Sequence, residues 1–276
     1  MIVSVASVKG GSGKTLISTG LALCVPNCRF LDCDVEEPDG HLYLRPTYRK
    51  RERVTINVPR PKNWFRADLR PSAEVCPYNA LAFIGGRLMV FNNLCTGCGA
   101  CFFVAPKGAL TREEHEVGAV KTGEGRNGVE VVTGELRVGS QRTGRVVTAV
   151  MKKVERGRDT IIDCPPGTAR PVLEAIRGSD YCVLVTEASP FGLEDLKAGV
   201  EALRLLSVKF GVVLNMLHLT DAGVGGYCKT EGISVLLEIP YSRAVAEASS
   251  RGKALPDMSP HWASEFGRLW ERIRTQ

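Results

Sequence analysis

KGGSGKT, residues Lys9–Thr15, follows the apolar run MIVSVASV and precedes LISTGLALCV. Strand, Gly-rich turn and helix in that order make a phosphate-binding loop. Gly10, Gly11 and Gly13 let backbone N–H groups, with that of Ser12 among them, close around the phosphates of a nucleotide. The helix N-terminus adds its partial positive charge. Lys14 is spaced to reach the β- and γ-phosphates, and the Thr15 hydroxyl is spaced to meet Mg²⁺. An ATP or ADP site with Mg²⁺ is therefore the expectation from which the rest of the chain is read.

Two further strand ends supply carboxylates. In CRFLDCDVEEPDGHLYL a strand through Phe30–Leu31 ends at Asp32 and Asp34. The carboxyl end of a strand in an open α/β sheet faces the ligand, so Asp34 can orient a water near the γ-phosphate. Capping of the next turn is the alternative for both aspartates. Further on, TIIDCPPGTA at Thr160–Ala169 is an apolar strand ending in Asp163 and followed by a Pro-Gly loop. Asp163 is placed to hold Mg²⁺ through water, and Gly167 to give an N–H to the γ-phosphate.

The chain has 276 residues, 44% of them hydrophobic and 24% charged, enough for one α/β nucleotide-binding unit with a modest insertion. No apolar run is long enough to span a bilayer, which makes a cytoplasmic protein with no membrane span the expectation. The net charge of +6 is mild, and the cluster RKRER at Arg49–Arg53 reads as a solvated loop, so no nucleic-acid partner is expected. Arg137, Arg142 and Arg145 likewise read as solvated surface. The last helix, SPHWASEFGRLWERIRTQ, puts Trp262, Phe266, Leu269, Trp270 and Ile273 on one face, which suits docking on its own domain.

Ten cysteines are present, and the only ones with ligand spacing lie in a Pro-rich stretch beginning near Val54. Two related units stand there, EVCPYNALAFI at Glu74–Ile84 and LCTGCGACFFVAPKGAL at Leu94–Leu110. The second holds Cys95, Cys98 and Cys101, a C-x2-C-x2-C run that resembles the bacterial ferredoxin motif. Its spacers let three thiolates wrap one corner of a cubane, and Gly97 and Gly99 permit the tight turns. The motif would end in Cys-Pro, but Ala105 precedes Pro106. In two-cluster ferredoxins the fourth cysteine ligates the other motif's cluster, so that resemblance makes Cys76, before Pro77, the fourth ligand of this set. The same comparison puts the second cluster's ligands at Arg66, Leu69, Ser72 and Ala105, none of them cysteine. One [4Fe–4S] cluster is expected and one is missing; a zinc site on the same four thiolates is the alternative. The remaining cysteines, Cys33, Cys164, Cys182 and Cys228 among them, read as structural.

Lys9 narrows the family. With this second lysine in the loop, DCDVEEPDGHL, IIDCPPGT, VVLNM and IPYSRAVAEASSRG, the chain resembles the MinD/ParA-type P-loop ATPases that contain an inserted ferredoxin domain. The resemblance implies a doubly wound, mostly parallel sheet with a small α+β insertion after the second strand. The ATPase domain would occupy residues 1–58 and 112–276 and the insertion 59–111, with short β-like runs after Thr111 leading back to the sheet. It also implies a homodimer bridged by ATP, with Lys9 crossing to the partner's phosphates, Asp34 in the catalytic position, Asn215 at the adenine edge and Pro240 beside the base. The function implied is ATP-gated electron transfer to an unidentified redox partner or metalloprotein. Metallocluster carriage or assembly, and a positioning ATPase with a structural or sensing metal site, are the alternatives.

Overall fold

The computed structural model describes residues 1–62, 68–217 and 223–276. It runs β1 (Ile2–Ala6), α1 (Lys14–Cys24), β2 (Arg29–Asp32), α2 (Gly40–Leu44), β3 (Thr47–Pro61), α3 (Arg70–Glu74), β4 (Leu81–Ile84), β5 (Arg87–Val90), α4 (Ala100–Val104), β6 (Leu110–Glu124) and β7 (Glu130–Leu136). The second half continues through α5 (Thr143–Met151), β8 (Thr160–Asp163), α6 (Arg170–Ile176), β9 (Tyr181–Glu187), α7 (Pro190–Leu206), β10 (Phe210–Leu217), α8 (Val224–Thr230), β11 (Val235–Pro240), α9 (Arg243–Ser249) and α10 (Pro260–Arg274).

Among the described residues the central sheet has nine strands in the order β11-β10-β9-β1-β8-β2-β7-β6-β3. From β11 to β7 all neighbours are parallel, whereas β6 and β3 are added antiparallel. The fold is thus the expected mostly parallel α/β sheet. Its strands are apolar on both faces because helices cover both. Successive residues point to opposite sides: Phe30, Ile161, Val183 and Val213 join one core with α1 and α10, while Leu31, Ile162, Leu184 and Val212 join the other with α5, α6 and α7.

The docking of α10 on its own domain holds. Phe266, Leu269, Trp270 and Ile273 are buried, and Ser259 caps the helix by accepting from the Trp262 N–H. Gly20 makes room for it, since a Cβ there would fall 2.5 Å from the Phe266 ring. No helix among the described residues is long and apolar enough to cross a membrane.

Two expectations are corrected between β2 and α5. RKRER is not a loop but part of β3, a strand of 15 residues paired with the equally long β6. Its charges are tolerated because the strand face is exposed and paired across it: Arg49 lies 2.7 Å from Glu124 and Arg51 2.6 Å from Glu116. The first of the short β-like runs after Thr111 lies within β6 and, as expected, leads back to the central sheet beside β7, but the strand it pairs with, β3, precedes the cysteine-bearing segment. The cysteine-bearing segment therefore follows the third strand, at the far end of the β3–β6 ribbon. It has its own β4–β5 hairpin and a small core of Leu69, Leu81, Leu88, Cys101 and Ala109.

Candidate functional site

Parallel packing brings the carboxylates together. Asp32 and Asp163 end adjacent strands in register, and Val5 of β1 pairs with Asp163 from the other side, so the loop after β1 opens beside both. Gly13, at φ +91°, is the left-handed turn from which α1 starts, and Lys14 points from its first turn to the acidic strand ends. The Lys14 ammonium lies 2.9 Å from Asp163 and 3.3 Å from Asp34, and the Thr15 hydroxyl donates to Asp163 at 2.8 Å.

Asp163 is fully buried and Lys14 nearly so. Burial pulls the Lys14 pKa down, but Asp163 and then Asp34 outweigh it, and the net displacement is upward. Burial, then Asp163, pushes the Asp32 carboxyl well above the usual aspartate range; its oxygens accept from the backbone N–H groups of Asp34 and Gly40. Burial also raises Asp34, with Lys14 opposing. Asp32 thus shapes the loop that carries Asp34, the capping role left open from the sequence, while Asp34 itself faces Lys14.

These groups open on a cavity of about 890 Å³ lined by Gly10, Gly11, Gly13, Lys14, Thr15 and Asp34. Its lining also includes Asn215, Pro240 and Tyr241, at or just beyond the ends of the parallel strands β10 and β11. Asn215 is buried and donates from Nδ2 to the Ser12 carbonyl at 2.8 Å, and a Cβ on Gly13 would collide with that amide at 2.2 Å. The Gly167 N–H donates to the Ser7 carbonyl at 3.0 Å, holding the Pro-Gly loop against the strand-end loop. Lys9 is mostly exposed, its Nζ 3.9 Å from Glu187. Glu36 and Thr143, which the sequence reading passed over, also line the cavity and bond each other at 2.6 Å. Glu36 sits in the acidic run after Asp34 and could have been suspected; Thr143 carries no local signal.

The four cysteines expected as cluster ligands border one pocket without closing into a gathered metal-ligand group. Cys76, Cys95, Cys98 and Cys101 line one small cleft under the end of the ribbon. Gly97 and Gly99 have positive φ, and the Ala80 N–H donates to the Cys76 sulfur at 3.4 Å. Burial raises the Cys95 and Cys101 thiols, Cys101 to about 11, and a neighbouring thiol of the set adds to the rise in each. Cys101 is buried, Cys76 and Cys95 are half-buried and Cys98 is exposed. Among the described residues no group of three or more His, Cys, Asp or Glu side chains that could hold a metal ion is gathered. The donor set, four soft thiols on one cleft with N–H groups directed at sulfur, fits an iron–sulfur group in its chemistry.

At the three described positions where the second set was sought, Leu69, Ser72 and Ala105, the residues pack or bond within the segment. Leu69 belongs to the segment's core, Ala105 packs against it, and the buried Ser72 hydroxyl donates to the Cys101 carbonyl at 3.3 Å. Arg66 lies outside the described residues. Arg142 is not simple solvated surface: its Nε donates to the Cys95 carbonyl at 2.8 Å and its Nη2 to the Asn93 carbonyl at 3.1 Å.

A phosphate loop on a mostly parallel sheet, with an aspartate and a threonine placed for a divalent cation, defines a P-loop nucleotide-binding protein. The family model for the CobQ/CobB/MinD/ParA nucleotide binding domain matches residues 3–255, and the chain belongs to that family as a P-loop ATPase. It is 30% identical to the uncharacterized protein MJ0579 of Methanocaldococcus jannaschii, over 92% of this chain and 91% of that protein. With the uncharacterized protein MJ0578 of the same organism it shares 28% identity over 99% and 96% of the two chains. Among solved structures it shares its fold with the septum site-determining protein MinD of Pyrococcus horikoshii, complexed with Mg-ADP, at a TM-score of 0.60 and 18% identity over 99% and 95% of the chains. The cell division ATPase MinD of Pyrococcus furiosus gives the same TM-score of 0.60 at 19% identity, over 99% and 98% of the chains.

Proposed function

We propose that this ATPase couples ATP binding and hydrolysis to one [4Fe–4S] group held by Cys76, Cys95, Cys98 and Cys101, and passes an electron to a partner metalloprotein. The observation that carries the reading is that Cys76, remote in sequence from the C-x2-C-x2-C run, lines the same cleft as its three cysteines. Such a group, when bound, would supply one-electron redox chemistry, taking each electron from an external one-electron reductant and giving it up to the partner.

The chain's own residues account for the nucleotide half. Lys14 moves from Asp163 and Asp34 to the β- and γ-phosphates, a short shift for a flexible side chain. That frees Asp34 to orient the attacking water, while Thr15 and Asp163 hold Mg²⁺. The Gly10–Gly13 backbone cradles the phosphates, and Gly167 turns its N–H toward the γ-phosphate. Asn215 and Pro240 border the base. Lys9, held only at the rim by Glu187, reaches the nucleotide of a second copy, so that two subunits close across two ATP molecules and reopen on hydrolysis. The residues 59–111 form the iron–sulfur insertion on the remaining ATPase domain. The exposed Cys98, with the exposed Tyr78 and Phe103 on the same small segment, gives a redox partner a surface to approach.

An EPR-monitored reductive titration of anaerobically purified protein, with and without MgATP, tests this. A single cluster signal whose midpoint moves with MgATP is expected. An unmoved signal, with iron and sulfide passed to an apo-protein on adding ATP, replaces electron transfer with carriage; zinc in place of iron overturns both.

A further inference from the structure

Two consecutive residues join the two sites. Thr143, the first residue of α5, donates to Glu36, and both line the nucleotide cavity beyond Asp34. Arg142, the residue before it, spans to the cysteine segment and donates to the carbonyls of Asn93 and Cys95. Its own backbone N–H is held by the Ser140 hydroxyl at 3.3 Å, which fixes the entry into the helix. The start of α5 also meets another lining residue of the cavity, since a Cβ on Gly144 would lie 3.9 Å from Pro171 at the head of α6. The helix itself is anchored in the sheet core through Val146, Val147 and Val150.

We infer that Arg142 is a positioning residue that couples the nucleotide cavity to the cysteine loop: movement of Glu36 and Thr143 on nucleotide binding changes the grip of its guanidinium on the Cys95 and Asn93 carbonyls. The geometry suits the task because a planar guanidinium holding two carbonyls two residues apart fixes the course of the backbone between them. Cys95 is the first thiol of the run, so its carbonyl sets the direction in which Thr96, Gly97 and Cys98 follow. Charge adds to geometry, since a cation beside this loop favours a more negative state of whatever the thiolates hold. The lever is short. One peptide link separates the group on the nucleotide wall from the group on the cysteine loop, and a rigid helix follows both.

This inference rests on the reading of the four thiols as one ligand set, and its test is separable from that reading. Hydrogen–deuterium exchange of residues 92–101 is followed in the full-length protein, alone and saturated with MgADP or a non-hydrolysable ATP analogue. In the native sequence, nucleotide is expected to change exchange there by about fivefold or more. Arg142→Gln removes that response; Arg142→Lys, which keeps the charge but loses the planar fork, restores only part of it. Thr143→Val breaks the link on the nucleotide side and abolishes the response while leaving the nucleotide-free exchange of the loop unchanged, as Arg142 still holds it. A native segment indifferent to nucleotide, or Arg142→Gln or Thr143→Val responding like the native protein, overturns the coupling. Iron measured on the same samples decides the ligand set independently, because iron-free protein still reports exchange.

Discussion

The nucleotide cavity and the cysteine cleft are built by opposite means. The cavity takes its side chains from the ends of parallel strands whose register is set by a large two-sided core, so Asp163 and Lys14 are buried and paired before any ligand enters. The cleft takes its thiols from loops and the short helix α4 around a small core, in a segment that leaves Phe103 90% exposed and Ile84 62% exposed. A frame with many strands can hold like charges close together. A small segment has little core of its own with which to fix its loops.

That contrast predicts separable losses. The largest is at Lys14: Lys14→Ala removes the group proposed to meet the developing phosphate charge, and ATP turnover measured by phosphate release falls about 100-fold or more. Iron at the cysteines stays unchanged in that variant. Iron loss with Lys14→Ala would show that the two regions are not independently built.

The converse substitution comes next. Cys101→Ser takes a buried thiol out of the segment's core and, on the proposed ligand set, iron content falls to background on elemental analysis. ATP turnover stays within about twofold, because the P-loop frame is held by its own cores. A collapse of turnover would mean that the cleft supports the cavity, reversing the comparison.

Lys9→Ala tests whether the exposed rim of the cavity works only between copies. Nucleotide affinity of the isolated chain is expected to change by about threefold or less, whereas ATP-dependent dimerisation, followed by sedimentation, is lost. An equal loss in both would place Lys9 in its own subunit's site.

The smallest effect concerns buried charge at the strand ends. Burial, then Asp163, raises the folded pKa of Asp32 above the ordinary 3.8, so between that value and the raised one the native state binds more of this proton than the unfolded chain does. Its stabilising contribution is complete below that ordinary value and is lost as pH rises from there through the folded value. Asp32→Asn, which no longer titrates, flattens this decline, by at most about 1.4 kcal/mol per pH unit in nucleotide-free protein. Parallel slopes for both proteins in denaturant titrations would show that Asp32 is ionised at no cost in the fold.

Much of the cavity was legible from local sequence because its parts are local: a strand, a glycine turn, a helix, and aspartates at the ends of apolar runs. The β3–β6 ribbon was not, because RKRER is too charged to look like a strand. Its partners, Glu124 and Glu116, stand 75 and 65 residues away from Arg49 and Arg51. Arg142 was missed for a related reason. An arginine in a polar run reads as surface unless the carbonyls it meets, here those of Cys95 and Asn93, are brought to it by the fold.

The sequence by itself determined the phosphate loop, the α/β class and the four-cysteine spacing, because each rests on contacts within one strand, turn or motif. Only the tertiary structure decided that Asp32, Asp34 and Asp163 crowd one ammonium, that Cys76 lines the same cleft as Cys95, Cys98 and Cys101, and that Arg142, next to Thr143 on the cavity wall, reaches the carbonyls of Asn93 and Cys95. Those relations depend on which strands become neighbours. That is fixed by burial of both faces of the sheet, a property of the whole chain and of no single segment.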